Sequence, residues 1–243
     1  MFAYRATRGP VEVAFTDRHG GVSGGPYASL NLAARDDDQP GTVAENIDRV
    51  ARALTAPVVA GMRQVHGAEV AVVDAGSAVA SGPAAPQADA LVTGEPGVAL
   101  MVRVADCVPV LLADTERGLV AAVHSGRPGL VAGVVPAAVA ALRELGAGQV
   151  VAWVGPHVCG SCYEVPEDMR AHVAGLVPET FARTSWGTPS LDLGAGVVAQ
   201  LRDAGVSDLT RTGRCTREDE DLFSYRRQGP ASGRLAGFVW VRP

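Results

Sequence analysis

Short apolar runs and helical patterns alternate along the chain, with Gly, Pro or Asp between them. Eight runs rich in β-branched residues predict strands, and they lie at 11–15, 69–73, 90–93, 98–104, 108–114, 118–124, 150–155 and 237–241. Several of these runs, such as "VALMVRV" and "VPVLLAD", contain almost no polar position. This pattern is typical of strands that are buried on both faces.

Four segments repeat apolar residues at intervals of three and four positions, which predicts helices. These segments lie at 42–54, 134–146, 166–177 and 191–205. In the first segment, Thr42 and Glu45 have the spacing of a capping box, so we expect that helix to begin at this box.

The order of these elements predicts the fold class. Strand runs follow one another directly through 90–124, and helical segments lie on both sides of them in the sequence. We therefore expect an α/β or α+β fold, a single-domain layered sandwich in which helices flank a mixed β-sheet. One domain over residues 1–243 fits a chain of this length. The Pro-rich segment 75–89 predicts a mobile surface loop.

The basic residues exclude two kinds of chemistry. All 21 of them are Arg, so the chain has no Lys for a Schiff base or for a Walker-type phosphate loop. Any anion must then be held by Arg, by backbone N–H groups or by a metal. A net charge of −5 without a long basic run argues against a nucleic-acid partner.

The sequence also lacks the patterns that target a chain to a membrane or for export. No apolar run approaches the roughly 18 residues that a membrane helix needs, and "MFAYRATRGP" has no apolar signal core. Four Cys in 243 residues do not form a disulfide scaffold. We expect a cytoplasmic protein with no membrane partner, present as a monomer or a small homo-oligomer.

Three residues near strand ends have the chemistry of a metal site. Cys107 lies in "ADCVP" just before one run, His124 ends another run before a Gly/Pro turn, and His66 lies in "RQVHG". Two imidazoles and one thiolate make a zinc set with an open fourth position, which is typical of catalytic zinc. Their separations differ from those of a zinc finger, so a core thiol and two hydrogen-bonded His residues are the alternative.

A second group of possible ligands follows the run at 150–155. It contains His157, Cys159 and Cys162 in "GPHVCGSCYEV". A C-x-x-C pair is either redox-active or half of a structural zinc site. The chain has no second such pair, so a closed site needs a distant ligand such as Cys215. A loop that lines the main site is the other interpretation.

Gly and Arg residues near the two ends of the chain indicate possible ligand binding. Paired glycines around Arg18 in "FTDRHGGVSGG" form either a backbone nest for an anion or an ordinary hairpin turn. Near the C-terminus, Arg226, Arg227 and Arg234 accompany the aromatic residues Phe223 and Tyr225. These five residues provide either a stacking surface for a planar ligand or a solvated strand and loop.

Six motifs in this order resemble those of the laccase-domain family. They are "RHGGVS…GPYASLNL", "RQVHG", "ADCVPVLLAD", "VHSGRPG", "GPHVCGSCYEV" and "FSYRR…GR". The resemblance extends from about residue 11 to residue 241. The family is also called the multicopper polyphenol oxidase family and has been redefined as purine nucleoside phosphorylases.

The resemblance implies a function and a set of site residues. Family members are described as cleaving adenosine, inosine and 5′-methylthioadenosine with phosphate, and as deaminating adenosine. The implied partners are therefore a purine nucleoside and phosphate. The family's zinc ligands match His66, Cys107 and His124, which are also the implied catalytic residues together with Asp106, a group that can protonate or hydrogen-bond the purine. The residues that we predict to bind nucleoside and phosphate are Arg18, Asn31, Gln64 and Arg127.

Two motifs differ from the sequences that are usual in the family. Where many members read "HAGWRG", this chain reads "HSGRPG", so Arg127 replaces the Trp and Pro128 replaces the Arg. If that Arg holds phosphate in the family, Arg127 or Arg18 must hold it here. The chain also reads "GPHVCGSC" where forms like "GPCIGPCC" are frequent, which places His157 and Cys159 in the loop beside the metal.

Two other functions stay open at this point. A copper laccase fits a His₂Cys set, but a multicopper oxidase also needs a His-rich cluster, and the chain has five His in all. Zn²⁺ is therefore the predicted cofactor in preference to copper. The second alternative is a non-catalytic binding factor, since some bacterial members of the family are linked to editing of peptidoglycan precursors.

Overall fold

The predicted elements are present in the computed structural model, which describes residues 1–33, 38–56 and 58–243. The strands in these residues are β1 (Phe2–Arg8), β2 (Val11–Thr16), β3 (Val58–Ala60), β4 (Val70–Val72), β5 (Ala90–Thr93), β6 (Val98–Val104), β7 (Val108–Asp114), β8 (Leu119–Ser125), β9 (Val151–Val154), β10 (Phe181–Arg183), β11 (Pro189–Leu191), β12 (Leu209–Arg211) and β13 (Leu235–Val241). The α-helices are α1 (Pro40–Leu54), α2 (Arg127–Val131), α3 (Val134–Glu144), α4 (Glu167–Leu176), α5 (Leu193–Asp203) and α6 (Tyr225–Gln228). Within the described part of the chain, none of these helices has the length and apolar character of a membrane span.

The strands divide between two mixed sheets. One sheet has the order β1-β2-β13-β6-β3 and the other has the order β12-β9-β7-β8-β5-β4, while β10 and β11 pair separately. Parallel pairs join β3 to β6, β4 to β5 and β9 to β12. The predicted mixed pairing is confirmed, but the strands form two sheets rather than one because the chain crosses between the sheets in the bend 105–107.

The core of the molecule lies between the two sheets and on their outer faces. Phe15 and Leu100 of the first sheet share an apolar cluster with Leu111 and Trp153 of the second. Helix α1 packs on the outer face of the five-stranded sheet, where it covers Trp240. Helices α3 and α5 pack on the outer face of the six-stranded sheet. The resulting order of layers is helix, sheet, sheet and helix, which confirms the predicted α/β layered class.

Helix α1 begins two residues earlier than its sequence pattern predicts. Its first residue is Pro40, and its N-cap is Gln39, whose side chain makes no capping hydrogen bond. The predicted capping box of Thr42 and Glu45 is therefore wrong. Proline is favoured at the first helical position because its missing N–H has no partner there in any case, and the Glu45 carboxylate instead accepts a hydrogen bond from Arg49 at 2.8 Å.

Five strands have no clear signal in the sequence. β1 is an edge strand whose side chains, including Arg5 and Arg8, are half-buried or exposed, so it shows no apolar run. β3, β10, β11 and β12 are three residues long. Such short segments contain too few positions for a periodic pattern to be recognised.

Three segments converge where the chain leaves the sheets. The bend 105–107 joins β6 to β7. The end of β8 lies beside the start of β7 because His124 pairs with Pro109. The loop 61–69 leads into β4. Each segment carries one of the three predicted metal ligands.

Candidate metal centre

The structure brings His66, Cys107 and His124 together. Their ligand atoms all lie within 4.8 Å of one another. The Cys107 Sγ is 3.8 Å from the His66 Nε2, and the rings of His66 and His124 meet edge to face with their centroids 4.7 Å apart. The set of two imidazole nitrogens and one sulfur is therefore complete among the described residues before any ion is bound.

A buried carboxylate orients the His124 ligand. The Asp89 Oδ1 accepts a hydrogen bond of 2.7 Å from the Nδ1 of His124, and both side chains are almost fully buried. Since an ionised carboxylate can only accept, a proton lies on Nδ1, and Nε2 is the nitrogen left to bind a metal. A carboxylate behind a ligating imidazole is the common arrangement that fixes its tautomer and ring orientation.

The same carboxylate also shapes the loop that carries His66. Asp89 accepts hydrogen bonds from the backbone N–H groups of Val65 at 3.2 Å, His66 at 2.9 Å and Gly67 at 2.7 Å. These bonds hold His66 in the left-handed region, at φ 62°. A non-Gly residue adopts this conformation only where its surroundings compensate the strain. Asp89 thus positions two of the three ligands.

Asp89 was not among the predicted site residues, because it ends the Pro-rich segment 75–89. That segment lies on the surface over most of its length, but Asp89 is fully buried. Its only sequence signal is an acidic residue placed directly before a buried strand.

Charge interactions within the centre stabilise the thiolate. Burial works to raise the pKa of Cys107, but the charge and hydrogen bond of His124 and the hydrogen bond of His66 outweigh it and lower the pKa to about 6. Burial works to lower the pKa of His124, but the Cys107 thiolate and Asp89 outweigh it and raise the pKa to about 9. The hydrogen bonds of His124, Gly67 and Val65 likewise outweigh burial and lower the pKa of Asp89. At neutral pH the metal-free centre therefore contains a thiolate beside an imidazolium.

A glycine makes room for the three ligands. A Cβ at Gly126 would lie 2.5 Å from the His66 Cδ2 and 3.1 Å from the Cys107 Sγ. The first contact is shorter than a Cβ tolerates and the second is tight, so a side chain at this position would displace His66 and crowd Cys107. The Gly of "HSGRPG" is therefore required by the close approach of the ligands, a role that the sequence alone did not reveal.

A cavity of about 610 Å³ opens beside the centre. Its aromatic and polar lining includes Tyr27, Asn31, Gln64, Asp106, Tyr163, Tyr225, Arg226 and Arg234, in addition to the three ligands. This volume is in the range of small-molecule sites, which is about 300–1,000 Å³. The open side of the His₂Cys set thus faces a chamber large enough for a nucleoside-sized ligand.

Two of the predicted binding residues line this cavity, and both are held by the protein. Gln64 donates to the carbonyl of Arg103 at 2.7 Å and accepts from its N–H at 2.9 Å. Asn31 donates to Asp38 at 3.0 Å and accepts from the N–H of Arg234 at 2.9 Å. These bonds fix both amides at the wall of the cavity.

The other two predicted binding residues, although both are described, do not line the cavity. Arg18 stacks over Phe223 at 4.6 Å and donates to the carbonyl of Ala28 at 2.9 Å. Arg127 is the first residue of α2 and does not line the cavity. The arginines that line the cavity are instead Arg103, Arg226 and Arg234, of which the last two come from the C-terminal aromatic group.

Asp106 directly precedes Cys107 and contacts the backbone of Arg226. Its Oδ1 accepts from the Thr216 hydroxyl and its Oδ2 accepts from the N–H of Arg226, both at 2.6 Å. The guanidinium of Arg226 stacks over Tyr163 at 4.6 Å and donates to the carbonyl of Glu164 at 2.8 Å. The sequence gives no signal for Tyr163, because this residue contacts Arg226 only in the folded chain.

Comparison with known proteins identifies relatives over the whole length of the chain. The profile of a family described as multi-copper polyphenol oxidoreductase laccase matches residues 12–242. A protein of Streptomyces coelicolor named purine nucleoside phosphorylase is 54% identical over 245 aligned residues, which cover 99% of this chain and 100% of that protein. A Corynebacterium glutamicum protein with the same general name is 48% identical over 236 residues, which cover 96% and 95% of the two chains.

Solved structures share the fold. Protein NMB0706 of Neisseria meningitidis matches with a TM-score of 0.86 and 33% identity over 99% of each chain. YlmD from Geobacillus stearothermophilus matches with a TM-score of 0.89 and 32% identity, covering 96% of this chain and 93% of that one. Motif order, fold and full-length similarity agree, and this chain belongs to the multi-copper polyphenol oxidoreductase laccase family.

Proposed function

We propose that this chain, as one domain over residues 1–243, is a zinc-dependent purine nucleoside phosphorylase. Its substrates are adenosine, inosine and 5′-methylthioadenosine together with phosphate, and it also deaminates adenosine. The observation that carries the proposal is the His₂Cys centre that opens into a cavity lined by tyrosines and arginines. The names of the relatives from Streptomyces coelicolor and Corynebacterium glutamicum support it.

The donor set fits zinc better than a multicopper centre. Zinc binds imidazole nitrogen and thiolate sulfur, and three protein ligands leave a fourth position open. A zinc ion held by His66, Cys107 and His124 supplies a Lewis acid at the edge of the cavity. The chain's three other histidines lie elsewhere: His19 pairs with Asp221 at 2.8 Å, His157 bonds a backbone carbonyl at 2.7 Å, and His172 lies in α4. A His-rich oxygen-reducing cluster is therefore not formed by the described residues.

The cavity walls provide groups for each part of the substrate. The purine stacks on the tyrosine-lined wall, where Tyr163 and Tyr225 are available. With no Lys in the chain, the phosphate is held by guanidinium groups, and we assign Arg226 and Arg234 to it. A role for Arg18 and Arg127 in phosphate binding stays a prediction.

Asp106 is placed to act on the departing purine. Each of its oxygens already accepts one hydrogen bond from the protein. A carboxylate oxygen has a second lone pair, so Asp106 can also accept a hydrogen bond from a purine N–H or, after taking up a proton from solvent, donate that proton to the ring. Cleavage of the N-glycosidic bond requires such relief of charge on the leaving base while an anionic nucleophile approaches the sugar.

Product analysis with adenosine tests the proposal. We expect zinc-loaded protein to release adenine and ribose 1-phosphate only when phosphate is present, and to form inosine with or without it. Cys107→Ala, which removes the thiolate ligand, should abolish both reactions and the bound metal of this centre. Unchanged adenosine in both arms would contradict the proposal, whereas oxygen uptake with a phenol by copper-loaded protein would favour the laccase alternative.

The compartment follows from the same chemistry. The four cysteines have free thiols, and a thiolate ligand needs reducing conditions to persist. We therefore place the enzyme in the cytoplasm. Subcellular fractionation with a reporter fused to the chain tests this assignment.

A further inference from the structure

A second cluster of metal-ligating side chains lies outside the centre described above. Cys159, Cys162, Cys215 and Glu218 bring their ligand atoms within 4.8 Å of one another. The distance from the Cys159 Sγ to the Glu218 Oε2 is 4.0 Å. All three thiols are free. Such a convergence of three sulfurs and a carboxylate needs an explanation, because it forms neither a disulfide nor a salt bridge.

The first two thiols come from one tight turn after β9. The N–H groups of Cys162 and Tyr163 both donate to the carbonyl of Cys159 at 3.0 Å. This turn places the two side chains of the C-x-x-C pair on the same side. The spacing and the turn are those by which structural zinc sites supply two of their four ligands.

The third thiol comes from a segment that is distant in sequence. Cys215 pairs with His157 in an isolated parallel bridge, in which the N–H of Thr216 donates to the His157 carbonyl at 3.0 Å. The N–H of Cys159 donates to the Cys215 Sγ at 3.4 Å. The backbone therefore fixes the approach of the two segments before any ion is bound, and it brings Glu218 to the same place.

We propose that Cys159, Cys162, Cys215 and Glu218 form a second zinc site with a structural role. Four protein ligands close the coordination shell, in contrast to the open His₂Cys set. A tetrahedral ion with Zn–S distances of about 2.3 Å places its ligand atoms about 3.8 Å apart, so the side chains need to move inward by less than about 1 Å. On binding, the three thiols release their protons to solvent and the thiolates bind the ion.

The charge state of the cluster agrees with a cation site. Without a cation, three adjacent thiolates and a carboxylate repel one another. Zinc removes this penalty, and Arg217, which donates to the carbonyl of Cys162 at 3.5 Å, offsets part of the remaining negative charge.

The position of the cluster gives the site its role. Tyr163, which lines the cavity, directly follows Cys162. Thr216, which donates to Asp106, directly follows Cys215. A zinc ion at the cluster therefore holds the segment of Tyr163, whose ring stacks on Arg226, against the segment of Thr216, which fixes Asp106 beside the first centre.

The stoichiometry of bound zinc tests the proposal. Protein purified under reducing conditions, loaded with zinc and freed of loose metal by gel filtration, should hold about two zinc ions per chain. Cys107→Ala should hold one, and the Cys159→Ser/Cys162→Ser variant should also hold one. One zinc in the parent chain and none in Cys107→Ala would overturn the second site and leave the proposed function standing. If the chain holds two zinc ions but does not act on adenosine, the second site stands and the proposed function is contradicted.

Cobalt substitution identifies the ligands. Cys107→Ala removes the only thiolate of the first centre, so sulfur-to-cobalt charge-transfer absorption in this variant reports the cluster alone. We expect the band in Cys107→Ala and its loss when Cys215→Ser is added. Absence of the band from well-folded Cys107→Ala, or thiol titration showing a disulfide in the reduced preparation, would overturn the proposal.

Two carboxylate substitutions test the fourth ligand without removing a thiol. Glu218→Gln should weaken the affinity of the cluster for zinc by at least about tenfold, measured by competition with a chelator. Glu220→Gln changes an exposed carboxylate two positions further along and should leave the affinity unchanged. Equal affinities in the two variants would overturn the four-ligand set.

Discussion

Asp89→Asn tests whether one buried carboxylate organises the metal centre. In the native chain the Oδ1 accepts hydrogen bonds from the His124 ring and the His66 N–H, and the Oδ2 accepts them from the N–H groups of Val65 and Gly67. An Asn side chain keeps only one oxygen. In either orientation its NH₂ group faces two N–H donors, so two of the four hydrogen bonds are lost and the donors repel one another.

The size of the effect follows from these bonds. A hydrogen bond to a buried charged group contributes about 1.5–3 kcal/mol, so the free energy of unfolding should fall by about 3–6 kcal/mol. For a domain of this size 1 kcal/mol corresponds to roughly 2–4 °C, which predicts a decrease in Tm of at least about 6 °C. Loss of the carboxylate behind a ligating imidazole should weaken zinc binding by about 10–100-fold.

Thermal denaturation of metal-free protein and competition with a chelator measure the two effects separately. Asp208→Asn is the matched control, because Asp208 is an exposed carboxylate that pairs with Arg8 at 2.6 Å on the surface. It should change stability by less than about 1 kcal/mol and leave zinc affinity unaltered. If Asp89→Asn melts and binds zinc as the parent chain does, the organising role of Asp89 is refuted.

Three further predictions concern the same centre and cavity. Gly126→Ala should weaken zinc binding by at least about tenfold, because the new Cβ would contact two of the ligands. The control Gly175→Ala places its Cβ in open space in α4 and should stabilise the chain by about 0.5–1 kcal/mol. Equal zinc affinities of the two variants would contradict the steric argument. Zinc affinity should rise about tenfold per pH unit between about pH 6 and about pH 9 and level off above, because Cys107 is already ionised in that window and His124 must release one proton. Isothermal titration across this range measures the slope. A flat profile would contradict this prediction. Arg226→Lys should raise the KM for phosphate more than the KM for nucleoside in initial-rate assays, since Lys cannot form the bidentate contact; equal increases would place the phosphate elsewhere.

The core strands can be predicted from the sequence because burial on both faces leaves almost no polar residue in them. β6 and β7 begin and end at the predicted residues, 98–104 and 108–114. Their assignment to different sheets cannot be predicted this way, because it depends on partners that are distant in the chain. β13 at the C-terminal end pairs with β2 and β6, and no local pattern encodes that pairing.

In the candidate site, too, some residues can be predicted from the sequence and others cannot. The ligands Cys107 and His124 are recognisable because their residue types are unusual at strand ends. Asp89 is not recognisable, because its role is to bind backbone groups of a loop that forms only in the folded chain. Arg18 shows the opposite case: its glycine-rich surroundings suggest anion binding, but the folded chain places it against Phe223, outside the cavity lining.

The two thiol-containing sites are linked through a single residue of unusual conformation. Asp106, like His66, is a non-Gly residue in the left-handed region, at φ 89°. Such a conformation costs about 1–3 kcal/mol and persists only where the surroundings fix it. Here the hydrogen bond from Thr216 fixes the carboxylate of Asp106, and Thr216 directly follows Cys215 of the cluster. Since Cys107 directly follows Asp106, displacement of the cluster segment changes the backbone that presents the Cys107 thiol to the candidate metal centre. Loss of the second zinc should therefore weaken metal binding at the first centre, although the two sites share no ligand.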